Sequence, residues 1–127
     1  MRSKITIVIG FVLWALNVQA HEMTPAYPKL RPSYIKDVYV TELKIFNRRI
    51  DVEYYSINVF DNKWKPVAFA SPNKVLRLKT NKYKTFEVYI RSIDIDKVTY
   101  ICTMSKLFKA KEQVTLVSSR ICSKIKK

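Results

Sequence analysis

Few residues in this chain of 127 could carry chemistry. His21 is its single histidine, and Cys102 and Cys122 are its only cysteines. Asp94 and Asp96 stand two apart, as the paired carboxylates of an acid–base site do. They fall in the run Ser92-Ile93-Asp94-Ile95-Asp96-Lys97, where Asp is favoured for local hydrogen bonding in a turn. Serines are present, but the one candidate base lies on a proline-rich stretch, so a nucleophile–base–acid triad is not expected. An N-terminal histidine can chelate copper through its amine and ring; such sites take further ligands, usually histidines, and the chain has no other. Two cysteines with one distant histidine do not make a zinc site. The single glycine, Gly10, rules out a glycine-rich phosphate loop. The residues assign no catalytic group, no metal site and no cofactor, and the chain reads as non-enzymatic.

The elements that hold these residues begin after an address. Arg2 and Lys4 precede an apolar run from Ile5 to Leu16, followed by Asn17-Val18-Gln19-Ala20. This is the pattern of a secretory signal peptide over residues 1–20, cleaved after Ala20. The run is about 12 residues, short of the roughly 20 that a spanning helix needs. Export implies an oxidising compartment, periplasmic or extracellular, in which a lone pair of cysteines usually joins. Cys102 and Cys122 are therefore expected as an intramolecular disulfide.

The formal charge is +14, and loss of Arg2 and Lys4 leaves +12. Lys106, Lys109 and Lys111 form one basic cluster, in a loop, and Lys124, Lys126 and Lys127 form another, on the tail. A field of that sign attracts polyanions such as anionic lipid, lipopolysaccharide or an acidic protein face. Export disfavours nucleic acid, and no base-reading motif is present.

From His21 to Ser33 the prolines 25, 28 and 32 predict an extended arm lying along the domain rather than a packed element. Residues 34–123 carry the fold, and 124–127 form a loose basic tail. Lys84 to Met104 is the centre of the pattern. Phe86, Val88 and Ile90 alternate with Glu87, Tyr89 and Arg91, as in a half-buried strand. Val98, Tyr100, Cys102 and Met104 share one face of a second strand, and the link between the two is long enough to cross between sheets. Further strands are predicted over Tyr34 to Val40, Glu42 to Phe46 with Leu43 and Ile45 inward, Ile50 to Phe60, Lys65 to Ala70, Lys74 to Lys79 and Gln113 to Ser123, the last with Val114 and Leu116 inward at first. In the longest, the inner set slips from Ile50, Val52 and Tyr54 to Tyr55, Ile57 and Val59, which predicts a β-bulge near Tyr54. Seven or eight short strands in about 100 residues predict an all-β, immunoglobulin-like sandwich.

The order of these pieces resembles the N-terminal immunoglobulin-like domain of periplasmic pilus chaperones of the PapD type. The resemblance runs through Leu30-Arg31, Leu43-Lys44-Ile45-Phe46-Asn47, Asp51 to Phe60, Ser71-Pro72 with Leu76 and Leu78, Phe86-Glu87-Val88, Tyr100-Ile101 and Gln113-Val114-Thr115-Leu116. It implies a protein partner bound by strand addition at a sheet edge. In that family an Arg on the first strand and a Lys on the last hold the client's terminal carboxylate. Arg31 suits the first role, and Arg120 or Lys124, depending on register, the second. Met104 stands where the family tends to have Arg. One subgroup carries a disulfide between its last two strands, which Cys102 and Cys122 would fit. The chain also resembles, more weakly, short exported proteins of marine phages, which implies no activity. Two functions follow as expectations: a protein-binding module that uses a strand edge, or a polyanion- or envelope-binding module that uses the basic loop and tail.

Overall fold

Ten residues, Val38–Asn47, make the longest strand, and their alternation explains one half of the molecule. Thr41, Leu43, Ile45 and Asn47 are buried while Glu42 and Lys44 face solvent. The structure, a computed structural model, describes residues 21–106 and 119–127. Its strands in chain order are β1 (His21–Thr24), β2 (Arg31–Pro32), β3 (Val38–Asn47), β4 (Tyr54–Phe60), β5 (Val75–Arg77), β6 (Tyr83–Arg91), β7 (Tyr100–Lys106) and β8 (Arg120–Lys124). β3 pairs with β6 along its length, setting Leu43 opposite Phe86 and Thr41 opposite Val88. The short β1 and β2 flank β3 on its other side. The second sheet runs β5-β4-β7-β8. Every pairing is antiparallel.

The two sheets close on one apolar core. Leu43, Ile45, Phe86, Val88 and Ile90 from the first meet Tyr55, Ile57, Val59, Leu76 and Ile101 from the second. This is the all-β sandwich the alternation predicts, with eight strands among the described residues. The link after β6 crosses between sheets, as expected, through a single 3-10 turn at Ser92–Asp94. Leu76 and Leu78 point inward and Val75 outward. Cys102 and Cys122 are bonded and stand directly opposite one another on β7 and β8.

Several local expectations change. β4 begins only at Tyr54; Ile50 is exposed, Val52 is buried, and the stretch between is a connection rather than a bulged strand. The cause is Asn47. Its amide group donates to the Val52 and Leu78 carbonyls, and its oxygen accepts from the Arg49 N–H and the Tyr55 hydroxyl. Those bonds satisfy backbone groups that a longer strand would have paired. β3 starts at Val38 and not at Tyr34, because Ser33 bonds the Val38 carbonyl around a turn in which Asp37 takes φ 61°. Lys65 to Ala70 forms only two isolated bridges, at Pro66 and Ala70. Pro66 has no N–H with which to extend a ladder.

The ends of the chain pack more than their composition predicts. In the proline-rich arm, β1 pairs with β3 and buries His21 and Met23. In the tail, Ile125 joins the core, and Lys124 and Lys126 donate their N–H groups to the Ala26 and Pro28 carbonyls. Ile101, Thr103 and Ser105 are buried on the inner face of β7; on the outer face Tyr100 and Met104 are half-buried and Cys102 is fully buried. Residues 1–20, and the strand start with Val114 and Leu116, lie outside the described residues.

Candidate functional site

β8 is the last strand of its sheet, so one of its edges has no sheet neighbour. The Ser105 N–H donates to the Ser119 carbonyl and the Ile125 N–H to the Thr99 carbonyl. Backbone groups in an antiparallel ladder alternate in direction. Residues 119, 121, 123 and 125 therefore address β7, while Arg120, Cys122 and Lys124 turn their N–H and C=O outward. The segment after β1 closes part of that outer edge, taking the Lys124 and Lys126 N–H groups at 2.9 and 2.8 Å. Pro28 has no N–H to return. Beside Arg120 and Cys122 no backbone partner is present among the described residues. Half of the edge is sealed by backbone bonds; along the other half β1 packs against β8 without a backbone bond among the described residues.

Both faces of this second half are braced. On the inner side His21, buried between the sheets, brings Nε2 to 2.8 Å from the Thr103 hydroxyl and Nδ1 to 3.2 Å from that of Ser119. A neutral imidazole donates at one nitrogen and accepts at the other, so both are used. Its ring rests 4.5 Å from that of Tyr55. Burial drives its pKa down to about 4, helped by the nearby Arg49 charge and opposed by the hydrogen bond to Thr103. On the outer side Trp64 stacks on Tyr100, with centroids 4.1 Å apart and rings nearly parallel. The Arg120 guanidinium lies 5.0 Å from the Trp64 centroid and 5.7 Å from that of Phe60. These contacts tie β8 across β7 to the turn after β4.

No family model and no curated protein matches the chain. Among solved structures, the E. coli chaperone DraB superposes with a TM-score of 0.62 at 14% identity, over 84% of this chain and 53% of that one. The fold is that of the PapD-like chaperones. The periplasmic chaperone SfaE aligns over 84% of this chain and 56% of its own, also at 14% identity, with a TM-score of 0.47. The chain thus spans about half the length of either structure.

On this chaperone-type fold the basic residues singled out from sequence fall into separate places. Arg31, on β2, pairs across to Val40, three positions beyond the Pro28 that accepts from Lys126. It sits at the end of β8 that bears Lys124, which is itself exposed and opposite Tyr100. Arg120 is four residues further up β8, roughly 13 Å away at the usual strand rise. Arg31 and Lys124 share one end; Arg120 belongs to the aromatic shelf. Lys106 closes the other end of β7, opposite Tyr54, and Lys109 and Lys111 lie outside the described residues. Lys126 and Lys127 are at the Lys124 end, where Lys127 Nζ reaches the Ile95 and Asp96 carbonyls. Lys106 and the tail cluster are therefore at opposite ends of the sandwich.

Asp94 is buried and bonded by Arg91 at 2.8 Å and Lys97 at 3.3 Å. The Arg91 hydrogen bond holds its carboxyl below the usual carboxylate range. Among the described residues, no group of three or more His, Cys, Asp or Glu gathers to hold a metal, and no helix is long and apolar enough to cross a membrane. Sequence reasoning missed the aromatic shelf and the role of His21. The shared face of Tyr100 and Cys102 was a signal for the shelf. The alternation of His21 with Met23 was a signal for β1.

Proposed function

We propose that this is an exported, non-enzymatic module that binds an extended segment of a partner protein by strand addition along β8. The observation that carries the reading is the half-bonded edge, where Arg120 and Cys122 direct backbone groups outward, without backbone partners among the described residues, between a buried pin and an aromatic brace. An added strand would find main-chain groups there that have no backbone partner among the described residues. The chaperone-type fold, the signal-like first residues and the formed disulfide support a periplasmic or extracellular place of work. Arg31 and Lys124, at one end of that edge, are suited to receive a carboxylate.

The test uses the exported protein as bait against an envelope extract, washed with rising salt. Arg120→Pro removes one outward donor and leaves the β7 ladder intact, because residue 120 does not bond β7. It is expected to abolish capture with little loss of melting temperature. Arg120→Ala, the control for charge and stacking, should retain capture. Loss of capture with salt, or on replacing Lys106, Lys109 and Lys111 by Gln, with capture surviving the proline, would instead establish the polyanion reading.

A further inference from the structure

Eight large apolar side chains stand exposed among the described residues, and five of them, Tyr27, Tyr34, Ile35, Trp64 and Ile93, project from connections at one end of the sandwich. Hydrogen bonds join these connections into one surface. The Ser92 N–H donates to Asp37, the Thr99 N–H to Phe60, the Ile125 N–H to Thr99 and the Lys126 N–H to Pro28, while Lys127 reaches Ile95 and Asp96. Tyr34 and Ile93 are 88% and 72% exposed, far beyond what a turn needs. Trp64 is held in its turn at φ 63°, a backbone region that a bulky residue enters only at a cost. Lys36, Lys63, Lys65, Lys126 and Lys127 belong to the same connections, as does Lys97, which is paired with Asp94. Of the acidic groups there, Asp94 is ion-paired, which leaves Asp37, Asp96 and Asp61, the last accepting the Lys63 and Lys65 N–H groups of its own turn.

We infer that this end docks on an anionic phospholipid bilayer. Trp and Tyr settle at the headgroup level, aliphatic side chains enter the acyl boundary, and lysines around them meet the negative surface. The five side chains project from several loops, and none of them lines the apolar cavity formed by Val38, Phe69 and Tyr89 on the side of the sheet. Such an arrangement fits a broad soft surface better than an inserted peptide. Bilayer docking and strand addition meet at Trp64, which also braces Arg120, but Tyr34, Ile35 and Ile93 belong to docking alone.

The experiment is co-sedimentation of the exported protein with vesicles of phosphatidylcholine alone or mixed with phosphatidylglycerol. Trp64, the one tryptophan outside residues 1–20, reports insertion by its emission. Binding is expected only to the mixed vesicles, with a blue shift and quenching by a quencher placed in the acyl region. Tyr34→Ser with Ile93→Ser should weaken it by roughly tenfold or more, from the apolar groups withdrawn from lipid. Replacing Lys79, Lys82 and Lys84, remote from this end, by Gln should change it little. Failure to bind the mixed vesicles overturns the proposal. So does equal binding to phosphatidylcholine alone, or a loss on the remote lysine changes as large as that from the loop changes, which is undirected adsorption. The quenching needs no variant, so unquenched emission from bound protein would also refute it.

Discussion

Asn47 and His21 show how much of this fold hangs on single polar side chains. Asn47 is fully buried and supplies partners to two carbonyls, one N–H and one hydroxyl. Asn47→Ala would leave several of these unpaired inside the protein, at about 1–3 kcal/mol each. A loss of about 3 kcal/mol in urea unfolding is expected, and a loss below about 1 kcal/mol would show that water replaces the amide. His21 acts through protonation. Its folded pKa of about 4 lies below the ordinary 6.5, so the unfolded chain binds the proton more readily. Its contribution is complete above pH 6.5 and is lost as pH falls toward 4, up to roughly 3 kcal/mol in all. Unfolding free energy measured across that window should fall with pH in the native protein and fall less in His21→Gln. Carboxylates such as Asp51 and Asp94, held below the usual range by Arg49 and Arg91, yield only at lower pH.

At the scale of elements, β8 is the end strand whose edge is proposed to work. It has one full neighbour, β7, half of a second, and a covalent tie at Cys102–Cys122. Replacing both cysteines by serine should cost about 3 kcal/mol on loop-entropy grounds. The loss should be local first: the Ile121 and Ser123 amides should exchange faster with solvent by a larger factor than that of Val88 in the central pairing. Uniform acceleration would mean that β8 opens only with the whole domain.

The strands that pair along their length were legible in sequence because one face is wet and the other dry, as in Leu43 and Ile45 or Phe86, Val88 and Ile90. β1 was not legible, because three prolines outweigh one His-x-Met alternation in any local reading. The start of the strand within the Ile50 to Phe60 run was equally hidden, since a side chain already in another strand, Asn47, decides it. Of the candidate site, the disulfide could be read; that the last strand ends its sheet depends on the pairing order and could not. The seal by residues 26–28 and the stack of Trp64 on Tyr100 are contacts between distant positions, and nothing local announces them.

Across the whole molecule, positive charge far exceeds negative. A formal +14, with lysines at both ends of the sandwich, means that positive groups repel one another through solvent. Raising sodium chloride from low ionic strength to about 0.15 M, where the screening length is about 8 Å, should raise the melting temperature. A flat or falling curve would show that the ion pairs, such as Arg48 with Glu22 and Arg77 with Glu53, offset the excess.

The hydrogen bonds of Ser119 to His21, and of Ser123 to the Pro25 carbonyl, each span 98 positions. Synthesis runs from the N-terminus, so the residues near β8 that bond His21 and residues 25–28 are made long after them. Until they emerge, His21 lacks its Ser119 partner and the carbonyls of residues 25–28 lack their β8 donors. Closure of the sandwich is therefore a late event with large loop-closure entropy, slow on the ordinary scaling with contact order. Through that interval the nascent chain carries two unsealed margins, at which a protease or a folding helper can act first.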